Sequence, residues 1–154
     1  MSIIFLETKI SAPIDRVFDL SRRVEFQLAY FIRSKVNIIK GKKLGPLDSS
    51  ESTIWRVHHF GFQQQYTFTI TDFYKPTYFV YQLKGGIFKS FRHEYHFSFK
   101  DGTTTMSSVL RFSPRTGLMG MLINFFFLRV YLTHLVMRQN MMIKKKAESP
   151  KESV

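Results

Sequence analysis

The chain has 154 residues, no cysteine, and 23 lysines and arginines against 11 aspartates and glutamates, which gives a formal net charge of +12 at pH 7. The length fits one domain. Hydrophobic residues make up 44% of the chain and charged residues 22%, a composition that excludes a disordered polymer. The lack of cysteine excludes disulfides and cysteine-ligated zinc or iron–sulfur sites. A positive charge of this size favours anionic partners such as lipid head groups, nucleic acid or an acidic ligand.

The first part of the chain predicts one strand, two short helices and a second strand. Ile4, Leu6 and Ile10 fall on every second position, on one side of the chain, which is the period of a half-buried strand. Pro13 ends that strand and suits the first turn of a helix. The elements predicted after this first strand are helices over about residues 13–20 and 23–30, a strand over about residues 34–39 and a polar loop over residues 41–52.

The middle of the chain predicts a series of hairpins. Glycine or proline separates the segments, and Asp101-Gly102 is the strongest break because an Asp-Gly pair favours a two-residue turn. Short, adjacent and evenly separated strands predict one antiparallel sheet. The predicted strands cover about residues 53–60, 63–74, 77–84, 87–100 and 103–113.

Alternation along these strands predicts one aromatic and one polar face for the sheet. In the fourth of these strands, Phe91, His93 and Tyr95 share one side, while Arg92 and Glu94 lie on the other. Such an aromatic face must be covered by another element. The polar residues on the other side predict a solvated charge cluster.

One long helix is predicted over residues 118–146, because its apolar residues recur at helical spacing and Gly120 is its only glycine. Residues 147–154 predict a polar tail. The apolar window Leu118–Leu128 is too short to span a bilayer, which takes about 20 residues. Since residues 1–18 also lack the unbroken apolar stretch of a signal peptide, the cytoplasm is the default compartment.

Four segments in this order resemble the SRPBCC superfamily, which includes START lipid-transfer domains, the major birch pollen allergen, and polyketide cyclases and dehydrases. The likeness is greatest to its bacterial polyketide cyclase/dehydrase-like branch. The segments are KISAPIDRVFDLSRRVEFQ, TIWRVHHFG, KGGIFKSFRHEYHF and FSPRTGLMG. The resemblance implies an α+β helix-grip fold in one domain over residues 1–146. In this fold a curved antiparallel sheet of about seven strands and two short helices wrap around one long C-terminal helix.

The resemblance further implies an apolar cavity between the sheet and the long helix. Alternation along the strands and helical spacing predict which residues line it. The predicted ligand-binding residues are Trp55, Val57, His59, Tyr66, Phe68, Tyr81, Phe91, His93, Tyr95, Met106, Leu110, Leu122, Phe125 and Arg129. The ligand implied is a lipid, a quinone or a polyketide-like aromatic, and the walls would bury it.

His59 and His93 are the candidate polar groups of this cavity, placed to orient a ligand or to move a proton. The alternative is that each is a hydrogen-bonded core residue, and no catalytic residue is assigned. Relatives often carry an acidic residue at the position of Ser108, so the resemblance implies a weaker case for proton transfer here. Arg129 follows the helical stripe, where it either meets an anionic ligand group or extends to water.

The sequence predicts no metal and no cofactor. His58 and His59 are adjacent on a strand and therefore point to opposite sides, and the three-residue spacing of His93 and His96 separates them in the same way. No nucleotide-binding glycine pattern and no Gly-x-Ser-x-Gly nucleophile motif occurs.

Three hypotheses of function follow. The first is binding of a hydrophobic small molecule inside the domain, and the second is a cyclase or dehydratase that uses a cavity histidine. The third is an interaction or membrane-surface protein, whose cations at residues 16–43 and 129–151 would contact anionic lipid or a protein partner. Nucleic acid is a weaker form of the third hypothesis because no recognised binding motif is present. The predicted oligomeric state is a monomer or a homodimer.

Overall fold

The computed structural model of the protein describes residues 2–27, 35–59, 62–115 and 125–150. These residues form seven strands and three helices, and the predicted α+β helix-grip architecture is confirmed. In chain order the elements are β1 (Ser2–Ile10), α1 (Ile14–Ser21), α2 (Val24–Gln27), β2 (Lys35–Gly41), β3 (Ser52–His59), β4 (Phe62–Tyr74), β5 (Tyr78–Gly85), β6 (Phe88–Lys100), β7 (Thr103–Pro114) and α3 (Phe125–Glu148).

All seven strands belong to one antiparallel sheet with the order β1-β7-β6-β5-β4-β3-β2. The N-terminal strand therefore lies at one edge beside the last strand, and β2 forms the other edge. The hairpin between β6 and β7 turns at Asp101 and Gly102, whose φ angles of 51° and 78° are both positive. This is the two-residue turn that the Asp-Gly pair predicts.

The two short helices and the following loop close one end of the sheet. Phe18 of α1 makes edge-to-face contacts with Phe73, Phe79 and Phe97, with ring centroids 5.4 to 5.5 Å apart. The loop predicted to be polar also contributes to the core, because Leu47 is fully buried. The described part of α2 is a single turn, and the remainder of the predicted helix, residues 28–30, lies outside the described residues.

The long helix α3 packs against β1, α1 and α2. It extends two residues past the predicted end, to Glu148, so the predicted tail begins too early. The physical reason is tertiary: the Arg16 side chain donates hydrogen bonds to the carbonyl oxygens of Lys146 (3.0 Å) and Ala147 (2.9 Å). These bonds satisfy carbonyl groups that a helix end otherwise leaves unpaired. The predicted beginning of the helix, residues 118–124, lies outside the described residues.

The two faces of the sheet differ as the alternation predicts. On the outer face, Glu94 accepts hydrogen bonds from Arg92 (3.1 Å) and Arg111 (2.6 Å) and lies 3.3 Å from His96. Burial alone would raise the pKa of Glu94, but the hydrogen bonds from Arg92 and His96 and the charge of Arg111 lower it below its usual value. The inner face carries the aromatic core.

Candidate functional site on the inner face of the sheet

A continuous series of aromatic rings crosses the inner face from β3 to β6. Trp55 stacks on Phe68 with ring centroids 5.0 Å apart, and Phe68 packs on Tyr81 at 4.2 Å. Tyr81 then contacts His93 at 5.1 Å, and His93 stacks on Tyr95 at 4.3 Å. Residues two apart on a strand share a face, and paired strands lie about 5 Å apart. The rings on the inner face of neighbouring strands are therefore in contact.

Most of the predicted ligand-binding residues lie together on this buried face. The buried members of the set are Trp55, Val57, Tyr66, Phe68, Tyr81, Phe91, His93, Tyr95, Met106 and Leu110. Arg129 lies apart from them, because its side chain is exposed on α3. Leu122 and the side chains of His59 and Phe125 lie outside the described residues. A role of any of these residues in binding a ligand stays a prediction.

Tyr81 and His93 form a buried polar pair in the middle of the aromatic face. The Tyr81 hydroxyl oxygen lies 2.6 Å from Nδ1 of His93, and either group is the donor, depending on the imidazole tautomer. Both residues are fully buried. Burial disfavours the imidazolium and lowers the pKa of His93 to about 3, so the ring is neutral at physiological pH.

A second polar chain connects the sheet to all three helices. The Tyr95 hydroxyl donates to Oε1 of Gln139 on α3 (2.8 Å), and Nε2 of Gln139 donates to Oε1 of Gln27 (2.8 Å). Gln27 in turn donates to the carbonyl oxygen of Ser21 (2.6 Å). Gln139 is not among the residues predicted from the sequence, although its position three residues after Val136 marks it as a polar residue within a buried helical stripe.

The Tyr95→Phe variant tests this chain. The variant removes the hydrogen bond from the Tyr95 hydroxyl to Gln139, so we expect the free energy of unfolding to fall by about 1 kcal/mol. Urea denaturation measures the change. Tyr74→Phe is the matched control, because the Tyr74 side chain is exposed. An equal loss in both variants would contradict a structural role for the chain.

A further buried polar pair, Ser108 and Asn140, joins β7 to α3. Nδ2 of Asn140 on α3 donates to the Ser108 hydroxyl at 3.3 Å, and both side chains are buried. A serine and an amide carry no charge and do not titrate. Asn140 is not among the residues predicted from the sequence, although it follows the other buried positions of α3 at helical spacing.

Tyr66 closes the end of the inner face at the turn between β5 and β6. Its hydroxyl donates to Oε1 of Gln64, and the backbone N–H of Ile87 donates to the same hydroxyl at 3.5 Å. Burial raises the pKa of Tyr66 to about 12, and the nearby Tyr131 of α3 adds to the rise. The phenol therefore stays neutral.

The described residues hold no group of three or more histidine, aspartate or glutamate side chains placed to bind a metal ion. Over the same parts of the chain, no helix combines the length and the apolarity needed to cross a bilayer. What the inner face offers chemically is apolar surface and neutral hydrogen-bonding groups.

Comparison with known proteins identifies the fold. No protein-family model and no curated protein matches the chain. Among solved structures, the TTHA0849 protein from Thermus thermophilus is similar with a TM-score of 0.70 and 14% identity, over 96% of this chain and 100% of that one. The ZhuI aromatase/cyclase from Streptomyces sp. R1128 is similar with a TM-score of 0.67 and 16% identity, over 99% of both chains.

A START superfamily protein from Mycobacterium smegmatis is also similar, with a TM-score of 0.57 and 11% identity over 92% of this chain and 98% of that one. Identities this low show the fold and leave the activity open. They confirm, at the level of the fold, the resemblance carried by the four sequence segments. The chain therefore has the helix-grip fold that these solved structures share.

Proposed function

We propose that the protein binds a neutral hydrophobic or amphipathic small molecule, such as a lipid, a quinone or a polyketide-like aromatic, between the sheet and α3. The observation that carries the proposal is the set of neutral polar pairs within the aromatic face. Tyr81 and His93 form the central pair, and Ser108 and Asn140 form another. Apolar walls with a few placed polar groups are typical of small-molecule sites.

Burial of these polar groups adds little to stability. A buried hydroxyl or imidazole loses its hydrogen bonds to water, and its intramolecular bond leaves a net gain of only about 1 kcal/mol. Apolar side chains of similar size would fill the same space with a similar stability. Binding of a ligand would explain the polar pairs, because they can orient a carbonyl or hydroxyl oxygen of that ligand by hydrogen bonding.

The charges of the inner face indicate the class of ligand. The buried charged residue among those that the structure describes is Arg22, and it is ion-paired with Asp19 and Asp48, both at 2.8 Å. His93 is neutral, because burial lowers its pKa to about 3. An anionic ligand would thus find no counter-ion among these buried groups, whereas a neutral ligand needs none.

The same low pKa separates binding from proton transfer. An efficient general base has a pKa near the working pH, and a histidine with a pKa of about 3 is a weak base at pH 7. The hypothesis of a cyclase or dehydratase that uses His93 therefore gains no support from this geometry. Binding requires only that the imidazole accept or donate a hydrogen bond.

Titration with Nile red, a neutral hydrophobic dye that carries a carbonyl oxygen, tests the proposal. We expect saturable binding to the wild-type protein, and Tyr81→Phe should weaken it about tenfold because one hydrogen bond is lost. Mass spectrometry of an organic extract of the purified protein should also detect a neutral small molecule.

Tyr78→Phe is the matched control for Tyr81→Phe. Both tyrosines lie on β5, but Tyr78 contacts Arg92 and His96 on the outer face. The control should bind the dye as the wild-type protein does. Absence of saturable binding, or equal weakening in the two variants, would overturn the proposal. A cytoplasmic location and the oligomeric state stay predictions of the sequence.

A further inference from the structure

The outer side of α3 carries large apolar side chains in contact with solvent. We call Phe126, Phe127, Val130, Met137 and Met141 the outer stripe; their exposed fractions run from 40% for Val130 to 77% for Phe126. At 100° per residue these positions fall on one side of the helix, opposite Leu132, Val136 and Ile143 in the core. The helix therefore carries apolar residues on two sides. Packing in the core accounts for the inner side, but it does not account for the outer stripe.

Cations without acidic partners flank the outer stripe. Arg138 and Lys145 are exposed on the same side of the helix, and Arg129 is exposed near its beginning. Across the described ranges, no carboxylate lies within 4.0 Å of these three side chains, whereas Lys144 pairs with Glu148 at 2.7 Å. Their charge is left for an external partner.

An open groove of about 400 Å³ lies at the C-terminal end of the outer stripe. Two methionines, three cations and one acid line this groove. The full lining consists of Arg138, Met141, Met142, Lys144, Lys145 and Glu148. Exposed apolar side chains beside cations match the boundary between the acyl chains and the anionic head groups of a lipid layer.

We propose that the outer stripe docks the protein on an anionic lipid bilayer, with α3 parallel to the membrane plane. The apolar side chains would enter the head-group boundary, and Arg138 and Lys145 would meet the lipid phosphates and carboxylates. A second copy of the chain is a poorer occupant, because a symmetric contact across this side would bring like charges together. Nucleic acid would leave the phenylalanines, valine and methionines unburied.

Flotation with phosphatidylcholine vesicles that contain about 30% phosphatidylserine tests the proposal. We expect the wild-type protein to float with them, and binding should fall without phosphatidylserine or when NaCl rises from about 0.1 M to about 0.5 M. Arg138→Gln/Lys145→Gln should reduce partitioning about thirty-fold, the effect of removing two cations from an anionic surface. Met137→Ser/Met141→Ser should also reduce it.

Matched pairs control for net charge and for general apolar exposure. Lys84→Gln/Lys100→Gln removes the same charge from exposed positions elsewhere, and Ile3→Ser/Phe5→Ser removes exposed apolar side chains from β1. Both control pairs should float as the wild type does. Failure of the wild type to float, or equal losses in test and control pairs, would overturn the proposal.

Sedimentation velocity and dye binding distinguish the remaining outcomes. A dimer that Met137→Ser/Met141→Ser dissociates would assign the outer stripe to a second copy and overturn the lipid assignment. Because the four residues changed in the test variants are exposed, these variants should keep the melting temperature and the Nile red binding of the wild type. Loss of vesicle binding with unchanged dye binding is the expected result, and it separates this proposal from the proposed function.

Discussion

Replacement of Gly86 by alanine should lower the free energy of unfolding by about 3 kcal/mol, because two costs combine at this position. Gly86 has a φ angle of +58°, which residues with a Cβ atom rarely adopt. A Cβ atom here would also lie well inside van der Waals contact of the Tyr66 ring. That ring is buried, so it has little room to move. Urea denaturation of the two proteins measures the loss.

Gly102 offers a matched control in another hairpin of the same sheet. Its φ angle of +78° is also positive, but a Cβ atom there would meet nothing within 4 Å. Gly102→Ala should therefore cost only the backbone strain, about 1 kcal/mol. If the two variants were equally stable, the contact with Tyr66 would not constrain the turn. The comparison separates conformational strain from the packing that closes the inner face.

Acidification from pH 7 to pH 4.5 should lower the free energy of unfolding by about 3 kcal/mol through His93 alone. Burial lowers the pKa of this histidine to about 3 in the folded protein, from an ordinary value of 6.5. Between these values the unfolded chain binds a proton that the folded protein does not. The contribution is thus fully present above about pH 6.5 and is lost as the pH falls towards 3. Urea denaturation at several pH values measures the slope.

His93→Phe tests this assignment. In this variant the free energy of unfolding should fall less steeply with decreasing pH, because the unfolded chain no longer binds a proton at this position. It should be less stable than the wild type at pH 7, since Tyr81 loses its partner, yet the difference should shrink on acidification. Tyr81→Phe is the control, because it loses the same hydrogen bond but keeps the buried imidazole, so the slope should remain. Parallel curves for wild type and His93→Phe would contradict the low pKa. The pKa of Glu94 is lowered from 4.5, so its contribution to the free energy of unfolding is lost mainly below pH 4.5.

The sheet could be predicted from the sequence because a half-buried strand has a two-residue period and its ends carry recognisable turn residues. The same period placed Trp55, Tyr81, His93 and Tyr95 on the inner face, and the structure buries all four. Each of these predictions depends on neighbours along one strand. That is why the side of the sheet that carries the candidate site was predictable without any tertiary information.

The partners of those residues were not predictable, because they come from elements distant in sequence. Gln139 meets Tyr95 across 44 residues, and Asn140 meets Ser108 across 32. Arg16 extends α3 from 131 positions away in the chain. A glutamine on an apolar helical stripe indicates a buried polar group, but periodicity carries no information about which residue it will contact.

The sequence by itself determined the order of the elements, the inward face of the central strands and the excess of positive charge, since each follows from residue type and local period. Only the tertiary structure decided which of the cations are buried in ion pairs and which residues of α3 are exposed. Arg22 is buried between acidic partners, whereas Arg138 and Lys145 remain exposed. Arg129 follows the stripe of Leu132 but lies in solvent. The physical reason is that burial depends on what packs over a residue, and the long-range fold supplies that cover.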